Sequence, residues 1–432
     1  MPLDILIVGS GVAGPAFASL LQRSFTTRKH NITLIERSPS LRLAGQQIDI
    51  KAQAIPVLQK MGLLETIKSH CVNETGLEML DKNDKLIAQF GVTPAGKKGF
   101  TLTNEYEIMR GDVVRVLYED SLAQRNKVEQ EAQAKPEGLL TYEFSKTITA
   151  LNQDTPKRTT VAFSNGETRT YDLVIGADGQ QSLVRRLAFG PEASTAAFKS
   201  LGIHAAYYSV PRLPTEDGLA RGYFTQSRFL LTRTSGRPLT GVYLFSTFEA
   251  AKLRESYKLP IEQQKEVWKH NLEGAGWQAP RFAKELDNTP DFYAHEQAQI
   301  KMTNLYKGRA VLLGDAGYGP SPFTGLGATL ALVGAYVLAG ELARCGNDVD
   351  KALGAYERVI RPYVDEAQQL PLGGLGVLLP QSKIGVWFLN SMFGLVKKLG
   401  VDRLMSRSMN DGVKEKGIQV PDYPELVTEK NE

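Results

Sequence analysis

Three glycine-bearing turns hold the residues of this sequence best suited to chemistry. The first, Gly9-Ser10-Gly11-Val12-Ala13-Gly14, spells G-x-G-x-x-G. Gly9 permits a tight turn, Gly11 lets the backbone approach a pyrophosphate, and Gly14 lets a helix pack closely on the preceding strand. A helix starting there offers unpaired N–H groups and the positive end of its dipole to phosphate. Glu36 stands close to the roughly 20-residue spacing at which a carboxylate meets a ribose hydroxyl. The second turn holds Asp178-Gly179 and the third Gly314-Asp315. This is the chemistry of a dinucleotide site. Read alone, the two aspartates are also ordinary caps of the helices that follow them, and the dinucleotide is not specified.

Each turn needs a strand to deliver it. Ile5 to Val8 is a run of four aliphatics, the pattern of a strand buried on both faces of a parallel sheet. Asn31 to Ile35, Thr168 to Gly176 and Ala310 to Leu313 read as further strands, with Asn165-Gly166 a hairpin turn ahead of the second. Leu77 to Leu80 and Leu86 to Phe90 form a second hairpin, and a helix follows Arg110. Glu129 to Gly138 reads as an exposed connection. Between about Arg186 and Ile300 the chain turns β-rich and aromatic, as an inserted α+β unit would. Thr324 to Cys345 reads as a long amphipathic helix and Asp348 to Gln369 as another.

Bulk properties exclude several classes. Net charge is +4 over 432 residues, without a basic tract interleaved with aromatics, so nucleic acid is not an expected partner. Two cysteines, Cys71 and Cys345, lack metal or redox spacing and fit a reducing compartment, hence a cytoplasmic expectation; no metal site is expected. No run of about 18 uncharged apolar residues predicts a spanning helix. Near the C-terminus, Trp387-Phe388-Leu389, Met392-Phe393 and Leu395-Val396 precede Lys397-Lys398 and Arg403. That pattern fits an interfacial helix or a helix packed over the inserted domain, and the second is preferred.

The order and spacing of the three turns, with Pro320-Ser321-Pro322-Phe323-Thr324-Gly325-Leu326-Gly327-Ala328-Thr329 after the third, resemble the class A flavin-dependent monooxygenases. The p-hydroxybenzoate hydroxylase group and the tetracycline-inactivating branch belong there. The resemblance runs from residue 3 to about residue 345. It implies an α/β fold: a Rossmann-like FAD-binding domain (1–185 and 296–345), an inserted α+β substrate domain with a mixed antiparallel sheet (186–295), and a C-terminal helical region (346–432). It also implies non-covalent FAD held by Gly9, Gly11, Val12, Ala13, Gly14, Glu36 and Arg37 at the adenosine end. Gly45, Gln46, Arg110, Asp178, Gly179 and Asp315 would follow the cofactor inward. Pro322, Gly325, Gly327, Ala328 and Thr329 would pass beside the isoalloxazine. Two positions depart from the family pattern: Thr329 stands where Asn is common, and Gly317-Tyr318 where His is frequent. His204, Tyr207 and Tyr318 are implied substrate-pocket residues, His295 a weaker one, and Arg42 is either a contact of the NAD(P)H phosphate or an exposed loop charge.

The activity this implies is NAD(P)H- and O2-dependent oxygenation of a small organic substrate by a monomer or dimer, with the flavin rather than a side-chain nucleophile carrying the chemistry. No second G-x-G-x-x-G follows a strand, which disfavours enzymes with a separate NAD(P)H domain. An FAD reductase or dehydrogenase, and a binding protein that keeps only the fold, are the alternatives.

Overall fold

The computed structural model describes residues 2–91, 106–131, 138–234, 237–369, 379–398 and 419–426. The chain opens on β1 (Asp4–Val8), α1 (Ala13–Arg23) and β2 (Asn31–Ile35), the βαβ unit expected around the first glycine turn. It continues through β3 (Gln47–Asp49), α2 (Ala54–Lys60) and α3 (Leu64–Ser69) to the hairpin β4 (Gly76–Leu80) and β5 (Leu86–Gly91). After β6 (Glu107–Met109), the helix α4 (Arg110–Glu131) leads back to β7 (Leu139–Glu143). A small antiparallel sheet follows, of β8 (Ile148–Thr155), β9 (Arg158–Phe163) and β10 (Thr168–Tyr171), before β11 (Leu173–Gly176) re-enters the core.

Two short helices, α5 (Leu183–Phe189) and α6 (Pro191–Ala197), precede β12 (Phe198–Pro211), β13 (Leu219–Thr225), β14 (Arg228–Arg233) and β15 (Leu239–Ser246). Then come α7 (Ala250–Ser256), α8 (Ile261–Leu272), α9 (Ala279–Glu285) and β16 (Tyr293–Ile300). The chain returns to the first domain through β17 (Tyr306–Lys307), β18 (Ala310–Leu312) and α10 (Asp315–Tyr318). It ends on α11 (Gly327–Arg344), α12 (Val349–Ala367) and α13 (Lys383–Lys398).

The first sheet has the order β17-β18-β11-β1-β2-β7 and is parallel except for β17. Ile5, Leu6 and Ile7 are fully buried, because α1 covers one face while the β8–β10 sheet lies against the other. Burial on both faces explains the unbroken aliphatic run. The parallel register brings the ends of β1, β11 and β18 to one edge, so all three glycine turns open on the same side. The helix expected at Thr324 begins at Gly327, and it is buried almost all round rather than amphipathic, because it is wedged among α1, α2 and α12. The helix α4 extends to Glu131, past the start expected for an exposed connection.

The second sheet has the order β16-β12-β15-β14-β13-β4-β5. It draws β4 and β5 from within residues 1–185, because the free edge of β13 pairs in parallel with β4. Sequence order hides so distant a pairing. Ala206, Tyr208, Val210, Leu230, Val242 and Leu244 face a helical layer that contributes Trp268 and Phe282. Ala205, Tyr207, Tyr243 and Phe245 face the other way, towards the first domain. Against the far end of that face packs α13, through Val386, Leu389 and Phe393. Of the residues singled out after it, Arg403 lies outside the described residues.

Candidate flavin site between the two sheets

The turn after β1 is shaped by close backbone approach. Gly9 has φ +109°, and a β-carbon there would stand 2.5 Å from the Ala177 carbonyl oxygen. One on Gly14 would stand 2.1 Å from the Gly9 carbonyl oxygen. Gly11 differs, since the nearest atom to its β-carbon position is the Arg110 guanidinium at 3.4 Å. The strand β2 delivers Glu36, whose carboxylate accepts from the backbone N–H of Ser10 (2.9 Å) and of Ser38 (3.0 Å). This aligns the carboxylate beside the glycine turn. Val12 is the N-cap residue of α1, Ala13 is buried in its first turn, and Arg37 is exposed next to Glu36. Gly45 rests on the aliphatic stem of Arg110, joining the residue 42–46 loop to the start of α4.

The two aspartate turns play different parts. Asp178 caps α5, accepting from Ser182 Oγ (2.5 Å) and from the N–H groups of Leu183 (2.6 Å) and Val184 (3.2 Å). Burial raises its pKa in spite of these bonds. Gly179 beside it has open space at its β-carbon position. Asp315 accepts no hydrogen bond from any described residue. Its side chain is reached by solvent although protein surrounds it, the situation of a carboxylate lining an internal cleft. Burial raises its pKa, and Arg110 opposes that rise. A carboxylate set in a cleft with no donor from the described residues is open to one supplied by a ligand.

Past α10 the chain crosses the cleft. Pro322 is exposed into it, and Gly325, at φ +61°, leans so closely on Asp49 that a β-carbon would stand 2.3 Å from the carboxylate. Asp49 pairs with Lys51 at 3.3 Å. The Thr329 hydroxyl donates to the Lys51 carbonyl at 3.0 Å, fixing the first turn of α11 to the segment after β3. The N–H groups of Gly327, Ala328 and Thr329 open this helix and have no acceptor within it. Glycines that admit close approach, an acceptor without a donor, and a helix N-terminus therefore line one continuous path. FAD fits that donor and acceptor set, with Asp315 available to a ribityl hydroxyl and α11 to the pyrimidine end of the ring.

The second sheet supplies the opposite wall. Tyr207 stacks on Tyr293 (5.0 Å between ring centres) and on His295 (5.9 Å), and meets Tyr243 edge-on at 5.3 Å. The Gln47 N–H donates to Tyr243 Oη (2.8 Å), and the Tyr293 hydroxyl donates to the Gln46 side chain, so both tyrosines tie this wall to the flavin-side loop. Arg42 lies over the Tyr293 ring at 4.9 Å; it is a cleft-wall residue rather than an exposed loop charge. Burial, with the help of Arg42, lowers His295 to about 4, so this imidazole is neutral near pH 7. Burial pushes Tyr293 up to about 12.

Two implied pocket residues lie elsewhere. His204 is fully buried on the helical-layer face of β12, hydrogen-bonded to Tyr257 Oη at 2.9 Å. It shares the strand with Tyr207, but three positions away it points to the opposite face. Tyr318 is buried in the first domain, its hydroxyl 2.8 Å from that of Tyr356, which in turn donates to the Leu312 carbonyl. The histidine on the cleft face is His295, which shares that face with Tyr293 by simple alternation. A buried acid group behind the flavin-side loop escaped sequence reasoning altogether. Arg233 on β14 reaches Glu107 (3.0 Å) and Glu74 (3.5 Å), and Gln47 donates to Glu107 at 2.9 Å. Burial pushes Glu107 up to about 8 and raises Glu74 as well.

A family model described as an FAD binding domain matches residues 2–370. The chain is 39% identical over 434 residues to the FAD-dependent monooxygenase asL6 of Sarocladium schorii, covering 99% of each. It is 30% identical to monooxygenase CTB7 of Cercospora beticola, covering 97% of each. Among solved structures, it is similar to tetracycline destructase Tet(55), with a TM-score of 0.72 at 25% identity, over 98% of this chain and 99% of that one. The fold is shared with Klebsiella pneumoniae HpxO in complex with FAD and uric acid, with a TM-score of 0.63 at 16% identity, over 94% and 97%.

Proposed function

The chain belongs to the family of FAD-dependent monooxygenases, and on that premise we propose that it takes reducing equivalents from NAD(P)H and uses O2 to oxygenate a small, planar organic substrate held against the tyrosine wall. The observation that carries this reading is Asp315, a cleft carboxylate that solvent reaches and that accepts no hydrogen bond from any described residue, on the same path as Gly11, Arg110 and the N-terminus of α11. When bound, FAD supplies the redox chemistry: hydride acceptance and activation of O2. The chain's own contribution is positional and electrostatic. Asp315 accepts from the ribityl chain, Glu36 from the ribose, and the first N–H groups of α11 favour negative charge at the pyrimidine end of the ring.

On the substrate side, part-exposed Tyr293, backed by buried Tyr207 and Tyr243, presents an aromatic surface with hydroxyls that stay protonated, while neutral His295 adds a hydrogen-bonding edge without charge. Such a wall suits an aromatic, polyketide, terpenoid or antibiotic-like molecule and excludes water from the reacting centre. Titration of flavin-free protein with FAD tests the reading. Uptake of FAD is expected, with Asp315→Ala weakening it at least about tenfold, or ~1.4 kcal/mol, while leaving the melting temperature of the flavin-free protein no lower. Failure to take up FAD, or equal affinity in the variant, overturns it. Substrate-dependent NAD(P)H consumption under labelled O2 then separates oxygenation, which puts the label in the product, from a reductase, which does not.

A further inference from the structure

The helix α13 is apolar on two opposite sides. Its inner side, Val386, Leu389 and Phe393, packs on β5 and β13. Its outer side carries Ile384 (78% exposed), Trp387 (68%), Phe388 (67%), Met392 (44%) and Leu395 (55%). Those positions recur at three- and four-residue spacing and form one stripe along the helix. The segment leading into the helix is tied to the second sheet: Ser227 N–H donates to the Pro380 carbonyl (2.8 Å), Ser227 Oγ to Gln381 Oε1 (2.9 Å), and Gln381 Nε2 to Thr247 Oγ1 (2.8 Å). The outer stripe is therefore held facing away from the protein. Single exposed apolar residues are unremarkable, but a contiguous stripe with two large aromatics marks a contact surface.

Charge decides what that contact is. The helix sequence contains no Asp or Glu, begins at exposed Lys383 and closes on Lys397-Lys398. Pairing the stripe with a second copy of itself would bring lysine-bearing ends together whether the helices ran parallel or antiparallel, with no carboxylate on either helix to offset them. Anionic headgroups complement the same arrangement, and Trp387 has the amphipathic ring favoured at a membrane–water boundary. Among the described residues no helix is long and apolar enough to cross a membrane, so the contact is in the plane of the surface. We propose that α13 seats the protein on an anionic lipid surface, with Ile384, Trp387, Phe388, Met392 and Leu395 entering the headgroup–acyl boundary and exposed Lys383 meeting headgroup phosphates and carboxylates.

A row of rings connects this helix to the cleft. Phe393 lies 6.1 Å from Phe224, Phe224 lies 4.3 Å from Phe229, and Phe229 lies 6.0 Å from Phe245. Phe245 in turn lies 5.9 Å from Phe323, next to Pro322 of the flavin-side loop. A lipid-seated α13 is thus in packing continuity with that loop through aromatic contacts alone.

Flotation of the full chain with vesicles tests the proposal, using phosphatidylcholine alone and phosphatidylcholine with phosphatidylserine. The expected result is co-flotation with the serine-containing vesicles, weakened by salt, and reduced at least about tenfold in the double substitution Trp387→Ser, Phe388→Ser. Both residues are exposed, so the variant should melt with the wild type. Phe25→Ser, which removes an aromatic 65% exposed on the first domain, should float unchanged. No flotation of the wild type, or equal flotation of the double variant, overturns the proposal. So does a wild-type dimer that the double variant converts to monomer, which would assign the stripe to a second copy.

Discussion

A β-carbon on Gly14 would stand 2.1 Å from the Gly9 carbonyl, backbone against backbone, with no flexible atom to yield. A β-carbon on Gly11 would meet only the end of the Arg110 side chain at 3.4 Å, an ordinary contact. Two glycines of one motif therefore fail differently. Gly14→Ala should lower the thermal stability of the flavin-free protein or abolish its soluble expression, because α1 can no longer sit on β1. Gly11→Ala should leave that stability within about 0.5 kcal/mol and instead weaken FAD binding, since its methyl group would stand beside the Arg110 guanidinium, on the side where the backbone must approach a pyrophosphate. Paired melting curves and FAD titrations check both. Much of this was legible in the sequence, because a glycine's role in a turn is set by neighbours a few residues away. Asp178 and Asp315 looked equivalent there. The structure divides them, one spent on capping α5 and the other without a donor among the described residues, and only the positions of α5 and the cleft make that distinction.

At the level of elements, β3 and β6 form a two-stranded ladder that places Gln47 beside Glu107, and β14 inserts Arg233 from the second sheet. Two carboxylates then share one guanidinium away from water, and the electrostatic balance is met by a retained proton. Glu107 is pushed up to about 8 by burial, with the neighbouring acids Glu74 and Asp49 adding to the effect, whereas the unfolded chain titrates near 4.5. Between those values the folded protein holds a proton that the unfolded chain has released. Stability from this group is therefore greatest at low pH and declines as pH rises from about 4.5 to 8, by at most ~1.4 kcal/mol per pH unit. Melting temperatures across that range should fall more steeply for the wild type than for Glu107→Gln. None of this was visible from sequence, because Glu74, Glu107 and Arg233 lie far apart along the chain and meet only through the pairing of β3 with β6 and the approach of β14. The misplaced His204 has a related cause. Alternation along β12 was evident, but which face meets the cleft depends on the packing of α7–α9, and that pairing of distant segments has no local signature.

Across the whole molecule, the segment 419–426 crosses back over the first domain. The Tyr423 ring lies against Gly340 of α11 so closely that a β-carbon there would meet it at 2.3 Å, and its hydroxyl donates to the buried Glu341 at 2.7 Å. Asp422 pairs with Lys60 on α2 at 2.7 Å. Tyr423→Phe should cost about 1–3 kcal/mol, because Glu341 keeps Arg344 but loses a buried donor. Tyr423→Ala should cost about 3–5 kcal/mol by opening a cavity beside α11. Denaturant titration of both variants measures the difference. The sequence carried no sign that so late a tyrosine completes the flavin-side domain.

The strand order β18-β11-β1 bears on synthesis. Leu173-Val174-Ile175-Gly176 is buried as a whole, yet its outer neighbour does not arrive until Ala310. As the nascent chain leaves the ribosome, the first sheet stands with an apolar edge unpaired while the entire inserted unit is made. The inserted unit can form most of its own sheet in that interval, since β4 and β5 are already outside the tunnel. The domain that is begun first is therefore the one finished last, and its sheet carries an apolar edge awaiting a partner until Ala310 is made.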